Sequence, residues 1–139
     1  MRYLGLDLGT KTLGLSLSDK TGLIANTYDV LRFESEDYNS LIPRLKEIIL
    51  KEGVDALVLG LPKNMNNTIG PRALVTLEFA ELLKKELNIE VEMMDERLST
   101  VASHNMMIEA NMSRKKRHDK VDKVAANVIL QTYLDKKRG

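Results

Sequence analysis

The sequence has no cysteine and no tryptophan, and only 4% of its residues are aromatic. The missing cysteines exclude disulfide bridges, thiolate zinc sites and cysteine nucleophiles, and their absence is typical of a reducing compartment. Since 43% of the 139 residues are hydrophobic, a core is available, but it must be largely aliphatic. The length is that of one domain, so we expect residues 1–139 to form a single folded unit.

Long hydrophobic runs are also missing. No stretch approaches the roughly 20 continuous apolar residues that a helix needs to cross a bilayer. The N-terminal segment carries charged residues and an internal glycine where a signal peptide would have an unbroken apolar region. We therefore expect a cytoplasmic protein with no membrane association.

The net charge of +1 conceals an uneven distribution. Residues 1–113 carry 12 Lys and Arg against 17 Asp and Glu, a balance of −5, whereas residues 114–139 carry 9 against 3, a balance of +6. Such an excess is typical of a surface that faces a polyanion, although a solvated basic helix end would give the same count.

The apolar residues show two periodicities. Alternation predicts a β-hairpin of residues 2–8 and 11–18, joined at Gly9-Thr10, and a third strand at 23–31 that continues the antiparallel meander. The later predicted elements are a helix at 38–52, a strand at 54–60, a helix from Pro71 to about Leu87, a strand at 89–94, and helices at 99–112 and 120–136, with the basic residues 114–118 between the last two. This order predicts an α/β fold with a five-stranded mixed sheet, an antiparallel meander plus parallel strands, and helices on its faces.

Acidic residues occupy three positions that suit a metal site. Asp7 lies within an apolar strand, where an ionised carboxylate needs a partner, a hydrogen-bond network or a metal. Asp95 and Glu96 end a strand, which is where α/β sheets place their sites, and Asp122 begins a helix. Each also has an ordinary explanation, namely the wet face of an edge strand, a surface ion pair, or charge that complements a helix dipole. Together they could converge on Mg²⁺ or Mn²⁺, ions that support phosphodiester hydrolysis.

Four motifs follow one another between residues 2 and 134. They are GLDLGTK at residues 5–11 with Gly14, the segment from Gly60-Leu61-Pro62 to Gly70-Pro71-Arg72-Ala73, DERLST at residues 95–100, and Val121-Asp122 followed by Ala125-Ala126 and residues 129–131. Together they closely resemble the YqgF family of pre-16S rRNA nucleases, also described as Holliday junction resolvase-like proteins. The resemblance implies a ribonuclease H-like fold, which agrees with the order of the predicted elements.

The resemblance also implies roles for individual residues. The acidic ligands of a metal would be Asp7, one of Asp95 and Glu96, and Asp122. We prefer Glu96 as the second ligand because its longer side chain better spans a gap at a strand end. Contact with substrate is predicted for Thr10, Lys11, Pro62, Arg97, Arg114, Lys115, Lys116 and Arg117.

The resulting hypothesis is a metal-dependent nuclease that acts on structured RNA, with processing of the pre-16S rRNA 5′ end in ribosome biogenesis as the implied role. The expected partners are this RNA or branched DNA, with the ribosome as a further candidate. A resolvase should dimerise because a four-way junction is two-fold symmetric, whereas an RNA-processing enzyme can be a monomer or a weak homodimer. The third alternative is a non-catalytic module that binds nucleic acid.

Overall fold

Our structure, a computed structural model, describes residues 1–62, 70–95 and 114–138, with the side chains of this part except those of 114–122 and 138. The strands are β1 (Tyr3–Leu8), β2 (Thr12–Ser18), β3 (Ala25–Arg32), β4 (Ala56–Leu61) and β5 (Glu90–Asp95). The helices are α1 (Leu41–Glu52), preceded by a 3₁₀ turn at Tyr38–Ser40, α2 (Pro71–Leu87) and α3 (Arg114–Arg138). The helix predicted at 99–112 lies outside the described residues.

The strands form one sheet of five, in the order β3-β2-β1-β4-β5. The first three strands are antiparallel neighbours. β4 pairs parallel to β1, and β5 pairs parallel to β4. The predicted α/β fold with a five-stranded mixed sheet is therefore confirmed.

The side chains of each strand alternate between two faces of the sheet. Leu4, Leu6 and Leu8 of β1 enter a large aliphatic cluster with α1 and α2, and we call this side the α1–α2 face. On the opposite side, the α3 face, Tyr3 of β1 packs with residues of α3 in a smaller cluster. The other members of this second cluster are Ala25, Ala56, Val58, Ile129, Leu130 and Leu134. Helices thus cover both faces of the sheet.

The helix ends follow from local sequence. α1 stops at Gly53, which adopts a left-handed conformation at φ 67°. α2 starts with a proline at its first position and stops at Asn88, whose φ is 49° and whose N–H bonds to the carbonyl of Lys84. Among the described helices, none is both long enough and apolar enough to span a lipid bilayer.

Several predicted boundaries differ from the observed ones, and two of these differences are instructive. The third strand begins at Ala25 rather than residue 23, because the carboxylate of Asp19 accepts the N–H of Leu23 at 3.0 Å and holds that segment in a turn. The basic stretch does not separate two helices, because α3 begins at Arg114 and includes it. Lys and Arg are good helix formers, and neither glycine nor proline interrupts the stretch, so a run of charge was a poor sign of a helix boundary.

Candidate active site

The three mutually parallel strands end at one edge of the sheet. β1 ends at Leu8, β4 at Leu61 and β5 at Asp95. The loop of residues 9–11 follows β1 at this edge and leads into β2. Sites in α/β proteins form at the carboxyl ends of parallel strands, so this edge is the place to examine.

Asp7 lies at this edge on the α3 face. It alternates with Leu6 and Leu8, which belong to the cluster on the other face. Gly14 of β2 is directly opposite Asp7 in the ladder. On the other side, Leu6 pairs with Leu59, so the next residue of β4 along the register is Gly60. The half-buried carboxylate of Asp7 therefore stands between two strand positions that carry no side chain.

Helix α3 packs directly on β1 because Gly5 has no side chain. A Cβ at Gly5 would lie 2.8 Å from the Cβ of Leu130 and 3.1 Å from the carbonyl oxygen of Ala126. From Gly5 to Asp7 the strand advances about 6.6 Å, and the four helical residues from Ala126 back to position 122 cover about 6 Å in the same direction. The backbone of α3 thus brings position 122 to about the level of Asp7, while the side chain of Asp122 lies outside the described part.

Side-chain hydrogen bonds fix how α3 lies on the sheet. The Ser16 hydroxyl donates to Asn127 Oδ1 at 2.7 Å, the Ala25 N–H donates to Gln131 Oε1 at 2.7 Å, and Lys137 Nζ donates to the Tyr3 hydroxyl at 2.6 Å. The last of these bonds raises the pKa of Lys137. Sequence reasoning missed these contacts, although serines alternating with the leucines of β2 gave a signal of a polar contact on the α3 face.

Of the acidic pair Asp95 and Glu96, the structure describes Asp95. Asp95 is level with Leu61 of β4, and Met93 is level with Leu59. Both Leu59 and Met93 belong to the cluster on the α1–α2 face, so Asp95 lies on that face, opposite to Asp7. Glu96 lies outside the described residues.

Several predicted substrate contacts lie at the same edge as Asp7. Thr10 and Lys11 are exposed in the loop after β1. The N–H of Gly9 donates to the carbonyl of Thr12 at 2.7 Å and closes this loop. Pro62 follows β4 directly and is half-buried. These residues therefore lie where a nucleic acid that reaches Asp7 would pass.

The remaining predicted contacts are described less fully. Arg97 lies outside the described residues. The backbone at Arg114, Lys115, Lys116 and Arg117 is the start of α3, but their side chains lie outside the described part. Within the side chains that are described, no group of three His, Asp or Glu residues could hold a metal ion. Of the three proposed ligands, only Asp7 belongs to that set.

Arg72 is a further cation at this edge, on the first turn of α2. One of its guanidinium nitrogens, Nη2, donates a hydrogen bond of 2.8 Å to the carbonyl oxygen of Leu8, the last residue of β1. Arg72 stood within a sequence motif, but no local pattern indicated this contact across 64 residues of chain.

Comparison with known proteins gives consistent results. The family model described as "RuvX: Holliday junction resolvase" matches residues 1–136. A Geobacillus kaustophilus protein named "Putative pre-16S rRNA nuclease" is 51% identical over 99% of this chain and 100% of its own length. A Clostridium botulinum protein of the same name is also 51% identical, over 97% of both chains.

Solved structures with similar folds are far less similar in sequence. Thermus thermophilus RuvC in complex with a Holliday junction substrate has a TM-score of 0.60 at 15% identity, covering all of this chain and 96% of that one. The fowlpox virus Holliday junction resolvase has a TM-score of 0.58 at 14% identity, covering 98% and 99%. These likenesses confirm the ribonuclease H-like fold, and the full-length family match confirms the resemblance found in the motifs. The chain belongs to the RuvX family, also called YqgF.

Proposed function

We propose that this protein is a divalent-metal-dependent nuclease that hydrolyses phosphodiester bonds of structured RNA. The observation that carries the proposal is Asp7, a half-buried carboxylate between two glycine positions at the carboxyl end of a parallel strand. The names of the family and of its relatives support a hydrolase that acts on nucleic acid ester bonds. We also propose that residues 1–139 form one nuclease domain, because α3 near the C-terminus packs on β1 near the N-terminus.

The residues that would hold the metal are Asp7, Glu96 and Asp122. Carboxylate oxygens are the ligands that Mg²⁺ and Mn²⁺ prefer, so the donor set fits either ion. A cation held there would lower the pKa of a bound water and offset charge on the phosphate. Asp95 lies on the opposite face of the sheet from Asp7, and this supports Glu96 as the second ligand.

The surrounding residues would position the nucleic acid. Thr10 and Lys11 are exposed in the loop after β1, and Pro62 lies at the end of β4. Arg97 and the basic residues at the start of α3, Arg114, Lys115, Lys116 and Arg117, would add contacts to phosphates. Such contacts hold a strand in place without reading its bases.

The finer proposal concerns the substrate. Relatives that align with nearly the whole chain carry the name of a pre-16S rRNA nuclease, so we propose the 5′ end of that precursor, processed in the cytoplasm during ribosome biogenesis. The ribosome is then a candidate partner. Branched DNA is the second candidate, since the description of the matching family is a Holliday junction resolvase.

One experiment separates these alternatives. The pure protein is incubated with a 16S rRNA precursor and, in parallel, with a four-way DNA junction, each with Mn²⁺ and with chelator, and the product ends are mapped. We expect metal-dependent cleavage of the RNA by a monomer or a weak dimer, and no cleavage by Asp7→Asn. Symmetric cutting of the junction by a stable dimer would favour the resolvase. Binding without cleavage of either substrate would leave a non-catalytic module.

A further inference from the structure

We propose that Arg72 binds a phosphate of the substrate strand next to the one that is cleaved. The inference rests on the proposed nuclease function and adds a binding residue to the same site. It is drawn from the position of the Arg72 side chain, which reaches from α2 to the end of β1.

The bond between Arg72 and Leu8 replaces a bond that the sheet cannot make. Along β1 the backbone groups of alternate residues face β2, as the bond from Gly9 to Thr12 shows, so the Leu8 carbonyl faces β4. The register of β1 and β4, continued past its last pair, makes residue 62 the donor to that carbonyl. Residue 62 is proline and has no N–H. The guanidinium of Arg72 supplies the missing donor and is thereby fixed at the sheet edge.

This anchor uses only part of the guanidinium group. The remaining N–H donors of Arg72 lie in a planar fork that suits a phosphate oxygen pair. Across residues 1–62, 70–95 and 123–137, no carboxylate forms an ion pair with Arg72. A half-buried guanidinium that has no acidic partner among these residues is a candidate site for an anion that comes from outside.

The position of Arg72 indicates which phosphate it would bind. Asp7 lies on the α3 face of the sheet. Arg72 belongs to α2 on the opposite face, and its side chain reaches the end of β1, at the sheet edge between the two faces. A strand whose cleaved phosphate lies at Asp7 would cross the sheet edge to reach Arg72. Arg72 therefore contacts a neighbouring phosphate and contributes to binding, while the carboxylates carry the chemistry.

Arg44 provides a matched control. Its Nη1 donates a hydrogen bond of 2.7 Å to the carbonyl of Arg32, which is the last residue of β3. Arg44 and Arg72 thus both donate from a helix to the last carbonyl of a strand. β3 lies at the edge of the sheet, two strands from β1, which is about 10 Å. Loss of a merely structural bond should affect both variants in the same way.

The test measures binding of a labelled RNA hairpin with a single-stranded end over a range of salt concentrations, and cleavage of the same RNA with Mn²⁺. For Arg72→Gln we expect the slope of log K against log salt to flatten by about 0.7 to 0.9. KM should rise while kcat stays within about two-fold, since the group lost binds without entering the chemistry. Arg44→Gln should leave slope, KM and kcat unchanged.

An unchanged slope in Arg72→Gln would overturn the inference, and so would an equal flattening in Arg44→Gln, which would indicate a general effect of charge. The proposed nuclease function is tested separately, by Asp7→Asn. If Asp7→Asn still cleaves the RNA, the metal site is wrong regardless of the salt slopes. If Asp7→Asn is inactive and only the slope prediction fails, the nuclease stands and Arg72 is a structural residue.

Discussion

The two faces of the sheet are built from different kinds of residue. The α1–α2 face buries a continuous set of large aliphatic side chains, including Leu4, Leu6 and Leu59, all at 0% exposure. The α3 face has Gly5 on β1, Gly14 on β2 opposite Asp7, a serine bonded to Asn127, and the carboxylate of Asp7 itself. One face is a large aliphatic core, whereas the other combines a smaller hydrophobic cluster with glycines and polar groups.

One strand can therefore serve stability through the residues on one face and chemistry through the alternate residues on the other. Aliphatic burial contributes about 25 cal/mol per Å², and it is concentrated on the α1–α2 face. Small residues on the α3 face gain less from burial but allow α3 to approach β1 closely. That approach brings the backbone at position 122 level with Asp7.

The largest expected effect comes from two adjacent residues on opposite faces. Asp7→Asn should reduce cleavage by well over the roughly 100-fold that loss of an outer-shell partner of a metal can cost. Its melting temperature in chelator should be unchanged or slightly higher, because one of several clustered carboxylates is removed. Leu6→Ala should instead lose about 2–5 kcal/mol of unfolding free energy while the folded fraction stays active. Near-normal activity in Asp7→Asn would contradict the assignment of the chemistry to the α3 face.

A second comparison uses the neighbours Asp95 and Glu96. Because Asp95 lies on the α1–α2 face, Asp95→Asn should change kcat by less than about ten-fold, whereas Glu96→Gln should remove activity almost as fully as Asp7→Asn. Single-turnover cleavage with Mn²⁺ measures both variants. The reverse order would transfer the second ligand to Asp95.

The close approach of α3 can be broken at Gly5. Gly5→Ala would place a Cβ 2.8 Å from that of Leu130, so α3 must shift, at a cost of about 1–3 kcal/mol. We expect cleavage to fall about ten-fold or more, because a misplacement near 1 Å disturbs a reaction geometry. Gly53→Ala is the control. The φ of 67° at this position should make the substitution cost about 1 kcal/mol of unfolding free energy. The added Cβ would meet no atom within 4 Å, so activity should persist. Equal activity of the two variants, once corrected for folding, would contradict the account.

The smallest effect on turnover is expected from the basic start of α3. Replacing Arg114, Lys115, Lys116 and Arg117 by serine should flatten the salt slope of binding by up to about 3 to 4. KM should rise, while kcat at saturating RNA should change little. The control replaces four exposed lysines at the other surface, namely Lys46, Lys51, Lys84 and Lys85. If both variants show the same slope, the basic stretch is solvated surface and substrate binds elsewhere.

The sequence was sufficient to predict the sheet and the place of Asp7. Alternation defines which residues of β1 face the core, and the order of strands and helices defines which neighbours are parallel. These features depend on residues close together in the chain. A charged residue among alternating leucines is conspicuous for the same reason.

Other features depend on residues far apart, and no local pattern identified the partners. Ser16 and Asn127 are separated by 111 residues, and Arg72 and Leu8 by 64. Arg72 is needed because Pro62 cannot donate a hydrogen bond to β1. This need can be recognised only when the register of β1 and β4 is known. The face occupied by Asp95 likewise follows only from its pairing with Leu61.

Calorimetric titration of Mn²⁺ into the wild-type protein, Asp7→Asn and Asp95→Asn tests whether the metal site lies on the α3 face. We expect the wild type and Asp95→Asn to bind the ion with similar affinity and Asp7→Asn to lose most of this binding, because of these two aspartates it is Asp7 that lies on the α3 face. Equal binding by all three proteins, or a loss confined to Asp95→Asn, would contradict the assignment of the metal site to that face.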